Sequence, residues 1–215
     1  MAENLQEQMY QRLREGLLAG RFEPGEALKL RDLAARWGTS PMPVRGALQR
    51  LVAEGALEGE PQRSVRVPVI TAERLIQLYQ VRLSLEGMAA EEGARRLDAA
   101  GRAQLHACTE RMAAALARRD AQGYLYDNSQ FHLTLYRASG NPVLLRLIES
   151  LWLQAGPLFN RLFRETDLSL FNDFHQHCLD ALDQGDPAAA RQAIEQDLLH
   201  FRSILLGLFE EAGEG

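Results

Sequence analysis

Residues 40–55, SPMPVRGALQRLVAEG, admit one kind of local structure. At about 100° of turn per residue, Val44, Leu48, Leu51 and Val52 fall on one stripe, while Met42, Arg45 and Gln49 project from a narrow sector on the opposite side. One short helix therefore carries an apolar back and a hydrogen-bonding front. Ser40 is placed to cap it, Pro41 and Pro43 suit a first turn whose N–H groups have no helical partners, and Gly55 is placed to stop it.

The neighbouring segments say what such a helix is for. Upstream, KLRDLAARWG sets Leu30, Leu33, Ala34 and Trp37 at helical spacing before the break at Gly38 and Thr39, which predicts a helix, a tight turn and a second helix. Downstream, β-prone runs near 56–58 and 65–67 flank a polar turn. Helix, turn, helix and hairpin are the order of a winged helix-turn-helix. In that arrangement the second helix enters the DNA major groove, so Arg45 and Gln49 face base edges, and Arg63 and Arg66 on the wing approach phosphates or the minor groove.

Residues 17–67 closely resemble the DNA-binding domain of the GntR family of bacterial transcription regulators, in the GRFEPGE entry, the PVRxALxRLxxEG helix and the PxRxVxV wing. The resemblance implies DNA contacts from Arg31, Ser40, Arg45 and Arg63, and the polar face of the second helix adds Met42 and Gln49 to the expected set. The family usually has Arg where Pro41 stands, Thr where Met42 stands and Gly where Ser64 stands. Loss of that arginine implies a half-site unlike the usual one.

Charge is distributed accordingly. Residues 1–70 hold ten basic and nine acidic side chains, whereas 71–215 hold fourteen and twenty, so the acidic excess behind the net charge of −5 lies away from the DNA-reading end. Cys108 and Cys178 are too few for a disulfide framework and lack metal-knuckle spacing. The N-terminus lacks a signal pattern and no apolar run approaches the roughly 18 residues of a membrane span. A cytoplasmic protein is expected, with no membrane partner.

The fold class expected is mainly α: a winged helix-turn-helix over 1–69, then an all-α antiparallel bundle of six to seven helices over 70–215. After the linker VPVITAERL, in which Thr71 is placed as a cap, helical periodicity runs near 72–97, 101–118, 121–138, 142–163, 167–184 and 187–210, with no competing strand pattern. The segments YQVRLSLEGMAAEEGARR, FHLTLYRASGNPVL and LDALDQGDPAAARQAI resemble the FCD class of GntR regulators. That resemblance implies a homodimer on a palindromic double-stranded DNA operator, controlled by a small, carboxylate-type effector.

Many FCD domains also hold a metal through an Asp and a His four residues apart and two further His. Laid on this chain the pattern gives Asn128, His132, His175 and Asp197. Residues four apart share a helix face, so 128 and 132 are able to hold one ion. Asn offers only a neutral carbonyl oxygen, and the single carboxylate has moved to position 197. A divalent ion suited to mixed N and O ligands, Zn²⁺ or Ni²⁺, is expected, and no organic cofactor. Asp127 and His200 stand as substitutes if the helices rotate or slip. Arg82 has two readings: a wall cation for the effector's carboxylate, or an intrahelical pair with Glu86. The alternative, a metal-dependent helical enzyme tethered to DNA, has little behind it. A di-iron site needs two Glu-x-x-His motifs and two more Glu, against only Asp197-x-x-His200 here; no HExxH is present.

Overall fold

A computed structural model describes residues 2–60, 64–165 and 174–211. The chain forms two compact units, one over Met1–Ile70 with Ser150–Asn160, the other over Thr71–Glu149 with Arg161–Gly215.

The first unit begins with α1, Ala2–Leu18, a helix of which the motif reading of 17–67 takes in only the last two residues. Met9, Leu13 and Leu17 recur every four residues and are at most 1% exposed. They supply one face of the core; the other is Val44, Ala47, Leu48 and Leu51 of α3, all fully buried. Each such aliphatic contributes about 1.5–3 kcal/mol by leaving water. Tyr10 adds a polar tie between the two helices, its hydroxyl donating to both carboxylate oxygens of Glu54 at 2.9 and 3.1 Å, with the Arg50 guanidinium stacked 3.5 Å above its ring.

The helix-turn-helix consists of α2, Leu30–Arg36, and α3, Pro41–Ala53. Leu33 and Ala34 of α2 are buried, whereas Leu30 and Trp37 are half-buried. Pro41 and Pro43 occupy the first turn of α3, and Gly55 ends it at φ 71°, the left-handed conformation that glycine adopts without strain. Two expectations are corrected. Ser40 occupies the N-cap position in extended conformation but its side chain makes no capping hydrogen bond. Val52 is only half-buried, at the edge of the apolar stripe.

The wing pairs β1, Glu58–Glu60, antiparallel to β2, Ser64–Arg66, with Glu58 opposite Arg66. Its base is anchored by a bridge from Ala27 to Arg66 and by burial of Val65 and Val67. The first strand starts two residues later than its sequence pattern suggests. Residues 150–160, in the middle of the helix α7 (Pro142–Glu165), complete this unit: Ser150 Oγ donates to the Glu54 carbonyl at 2.9 Å, and a methyl at Gly156 would meet the Leu17 carbonyl.

The second unit is helical throughout the described residues. It comprises α4, Ala72–Arg96; α5, Ala99–Ala117; α6, Ala121–Ala138; both ends of α7; α8, Phe174–Asp183; and α9, Pro187–Glu211. The starts of α4, α5 and α6 follow from a short polar cap: Thr71, Asp98 and Asp120 accept from the amides of Arg74, Gly101 and Gly123. The expected helix over 167–184 is described only from Phe174, because 166–173 lie outside the described residues. Helix α4 packs on α9 and α6, α5 on α6 and α8, and α8 on α9. Gly93 lets α4 and α6 approach main chain to main chain, since a Cβ there would overlap the Leu135 carbonyl. No described helix is long and apolar enough to cross a membrane.

Candidate DNA-reading surface and buried polar site

On the first unit, Arg31, Ser40, Met42 and Gln49 are exposed, and Met42 is 68% exposed, unusual for a large apolar side chain with no structural task. Arg45 is half-buried and its Nε has no hydrogen-bond partner among the described residues. Gly46 accounts for part of its setting, since a Cβ there would meet the Gln6 side chain at 2.5 Å, so α3 lies close to α1 behind the exposed face. Arg63 lies outside the described residues; Arg66, on the second strand, is exposed.

The second unit buries its chemistry. His132 on α6, His175 on α8 and Asp197 on α9 are 1%, 3% and 3% exposed, and their ligand-type atoms lie within 4.8 Å of one another. The two Nε2 atoms are 3.3 Å apart, and His132 Nε2 is 3.4 Å from Asp197 Oδ2. Two ligands, each about 2.0–2.1 Å from a tetrahedral ion, stand roughly 3.3–3.4 Å from each other, so these spacings suit a common cation. Asn128 joins the same helix face one turn before His132. Its Oδ1 and Asp197 Oδ1 are buried acceptors without a hydrogen bond among the described residues, and a cation satisfies such atoms. The residues therefore fit a divalent ion held by two nitrogen donors and one anionic oxygen, with Asn128 Oδ1 a further buried acceptor on the same helix face as His132.

The substitutes do not join this cluster. Asp127 turns to Arg111, 2.7 Å away, and His200 is half-buried among the rings of Phe174 and Phe201. For Asp127 the reason is angular, since it sits about 100° around α6 from Asn128; His200, three residues past Asp197 on α9, is drawn to the aromatic rings instead.

A second buried group adjoins the cluster. Arg82 and Glu86, 1% and 0% exposed, pair at 2.6 Å between Nε and Oε1 on successive turns of α4. Tyr136 donates its hydroxyl proton to Glu86 Oε2 at 2.8 Å, and the same phenol oxygen lies 3.0 Å from His132 Nδ1. Tyr79 places its ring 4.7 Å from the Arg82 guanidinium. Sequence reasoning placed Arg82, Glu86 and His132 but missed Tyr136 and Tyr79. The available signal was spacing, since Tyr136 follows His132 by one helical turn as Glu86 follows Arg82.

These environments shift proton affinities. Burial raises the Asp197 carboxyl, but the imidazoles of His132 and His175 and the Arg82 guanidinium around it outweigh burial and hold the group below its usual range. Burial opposes the Arg82 charge, and Glu86 more than offsets it, so the guanidinium stays protonated. Burial, with Glu86 beside it, holds the Tyr136 phenol well above its ordinary value. Burial likewise pushes the Cys178 thiol up to about 12, which makes it a packing group rather than a nucleophile.

Known proteins share both units. The profile of the bacterial regulatory proteins of the gntR family matches residues 5–67, and that of the FCD domain matches residues 77–200. The HTH-type transcriptional regulator McbR of Escherichia coli (strain K12) is 32% identical over 151 residues, covering 70% of this chain and 68% of McbR. The HTH-type transcriptional repressor GlaR of the same organism is 26% identical over 199 residues, 88% and 90% of the two chains. The solved structure of E. coli McbR/YncC superposes with a TM-score of 0.89 at 28% identity, covering 95% of this chain and 98% of that one. These relatives are regulators and not enzymes. A winged helix-turn-helix joined to an FCD bundle, matched in order along the chain, makes this protein a member of the GntR family of transcription regulators, FCD class.

Proposed function

We propose that the protein binds a palindromic operator as a homodimer and that a small carboxylate metabolite controls this binding from the buried site of the helical unit, with Zn²⁺ or Ni²⁺ held there by His132, His175, Asp197 and Asn128. The observation that carries the reading is the convergence of two imidazole nitrogens and one carboxylate, buried and within 4.8 Å of one another. When bound, the ion supplies a positive centre, because one carboxylate compensates only half of a divalent charge. The protein's own residues bind and orient: the two imidazoles fix position, Asp197 supplies the anionic oxygen, and neutral Asn128 is the weakest donor. Arg82, taken up by Glu86, supports the intrahelical-pair reading over direct effector contact.

Arg31, Ser40, Met42, Arg45, Gln49 and Arg63 form the proposed DNA-reading set, with Arg45 and Gln49 on base edges and Arg63 on phosphate. Support for a second copy comes from the helical unit, where Val81 and Met88 of α4 and Val143 and Leu147 of α7 are 48–58% exposed. The buried free thiols of Cys108 and Cys178 suit a reducing cytoplasm. GlaR is named a repressor, and repression relieved by the effector is the simplest output here. An effector shifts operator affinity only by its differential affinity for the two states of the dimer. Elemental analysis of the purified protein, with operator binding followed by fluorescence anisotropy before and after chelation, tests the scheme. About one divalent ion per chain and a chelator-sensitive melting curve are expected; a metal-free protein that melts identically in chelator removes the ion from it.

A further inference from the structure

The geometry points to Tyr136 as a positioning residue: it takes its orientation from the Arg82–Glu86 pair and keeps the proton of His132 on Nδ1, so that only Nε2 is presented to the cluster of His175, Asp197 and Asn128. The inference rests on the metal reading for its consequence, but the hydrogen-bond logic stands without it.

A phenol has one proton and two lone pairs. Two buried neighbours compete for that proton, Glu86 Oε2 at 2.8 Å and His132 Nδ1 at 3.0 Å. Glu86 already accepts from the Arg82 guanidinium at 2.6 Å on its other oxygen, and a carboxylate in that position has nothing to donate. Were Tyr136 to donate to His132, its oxygen would face the Glu86 oxygen at 2.8 Å with no hydrogen between, in a site where neither group reaches water. The phenol proton therefore goes to Glu86. The one role left for Tyr136 toward His132 is acceptor, so Nδ1 carries a hydrogen.

The direction of three hydrogen bonds thus fixes a chemical identity. Arg82 donates to Glu86, Glu86 orders Tyr136, and Tyr136 holds the His132 ring with Nδ1–H outward and Nε2 inward, 3.3 Å from His175 Nε2 and 3.4 Å from Asp197 Oδ2. A proton and a divalent ion then compete for one atom, Nε2, and for no other on that ring. Helix geometry makes the relay rigid. His132 and Tyr136 share one face of α6 and Arg82 and Glu86 one face of α4, each pair a single turn apart, and α4 and α6 pack directly on each other. Partners of this kind set ligand orientation and basicity, and their loss typically lowers metal affinity about 10–100-fold.

The direct test is nitrogen-15 NMR of the histidine rings in the full-length, chelator-treated protein at a pH where the imidazoles are neutral. His132, assigned by its loss in the His132→Gln variant, is expected as the Nδ1–H tautomer; an Nε2–H tautomer overturns the proposal whether or not metal ever binds. The second arm titrates Zn²⁺ alone into wild type and Tyr136→Phe, each first checked for its helical circular dichroism. The phenylalanine variant is expected to show mixed tautomers and about 10–100-fold weaker Zn²⁺ binding. Unchanged affinity and an unchanged tautomer in a folded Tyr136→Phe protein overturn the positioning role. Absence of Zn²⁺ binding in wild type, with the tautomer as expected, removes the metal reading and leaves the relay standing.

Discussion

The two units keep the side chains proposed for function in opposite conditions. On the DNA-reading unit Arg31, Met42 and Gln49 are exposed and Arg45 holds an Nε without a hydrogen-bond partner among the described residues, so their interactions wait for another molecule. In the helical unit Arg82, Glu86, Tyr136, His132, His175 and Asp197 are at most 3% exposed and already hold one another. A surface that reads a partner is specified by which side chains it presents. A buried site is specified by which atoms its own side chains leave over.

The contrast breaks most sharply at Arg45. Arg45→Ala is expected to abolish specific operator binding, at about 1–3 kcal/mol per half-site, while the melting of the helical unit is unchanged; anisotropy with operator and scrambled DNA measures it, and wild-type affinity refutes the assignment. Next in size is His175→Ala, which should abolish the stabilisation by added Zn²⁺, worth about 2.7 kcal/mol at a hundredfold excess over Kd, yet leave the affinity of the ligand-free protein for DNA near wild type. Differential scanning calorimetry with and without Zn²⁺ reports the first effect.

Asn128→Asp sharpens the comparison in the other direction. It adds an anionic oxygen beside His132 and is expected to tighten Zn²⁺ binding about tenfold, equivalent to about 1.4 kcal/mol; competition with a coloured chelator reads it. On the DNA side, Arg63→Ala should weaken all sequences alike and reduce the salt slope by about 0.9 for each phosphate that the wing ceases to neutralise. Weakening confined to the specific operator would mean that the wing reads bases.

The smallest effect concerns Tyr10, where burial and the Glu54 hydrogen bond raise the phenol to about 12. Its protonated form is favoured by folding, so this contribution is complete below the ordinary value of about 10 and disappears as pH climbs from there through about 12. Phenolate absorbance and denaturant unfolding across that window should show the loss in wild type, and Tyr10→Phe should lack this part of it.

Legibility in the sequence follows the same division. Leu33, Ala34, Val44, Leu48 and Leu51 revealed the helix-turn-helix because one helix face either packs or does not, and periodicity reports that. Thr71, Gly55 and the β-prone runs at the wing were equally local. Helix α1 was passed over because its Met9, Leu13 and Leu17 lie in a polar stretch that carries none of the quoted motifs. At the buried site, His132, His175 and Asp197 were reached through family spacing. That the intrahelical Arg82–Glu86 pair is buried rather than solvated depends on α4 meeting α6, which separation along the chain does not encode. Tyr136 was missed for that reason, since an aromatic at i+4 from a histidine is ordinary core until a carboxylate from another helix faces it.

Gly93 turns that helix packing into a genetic statement. The substitution of a single hydrogen by a methyl at this position strikes the Leu135 main chain, one residue before Tyr136, and must push α4 from α6 without altering any proposed ligand. If the chain represses until an effector binds, as proposed, a random screen for variants that still repress but no longer answer the effector should return Gly93 variants alongside His132 and His175, at a site which by chemistry alone would never be suspected.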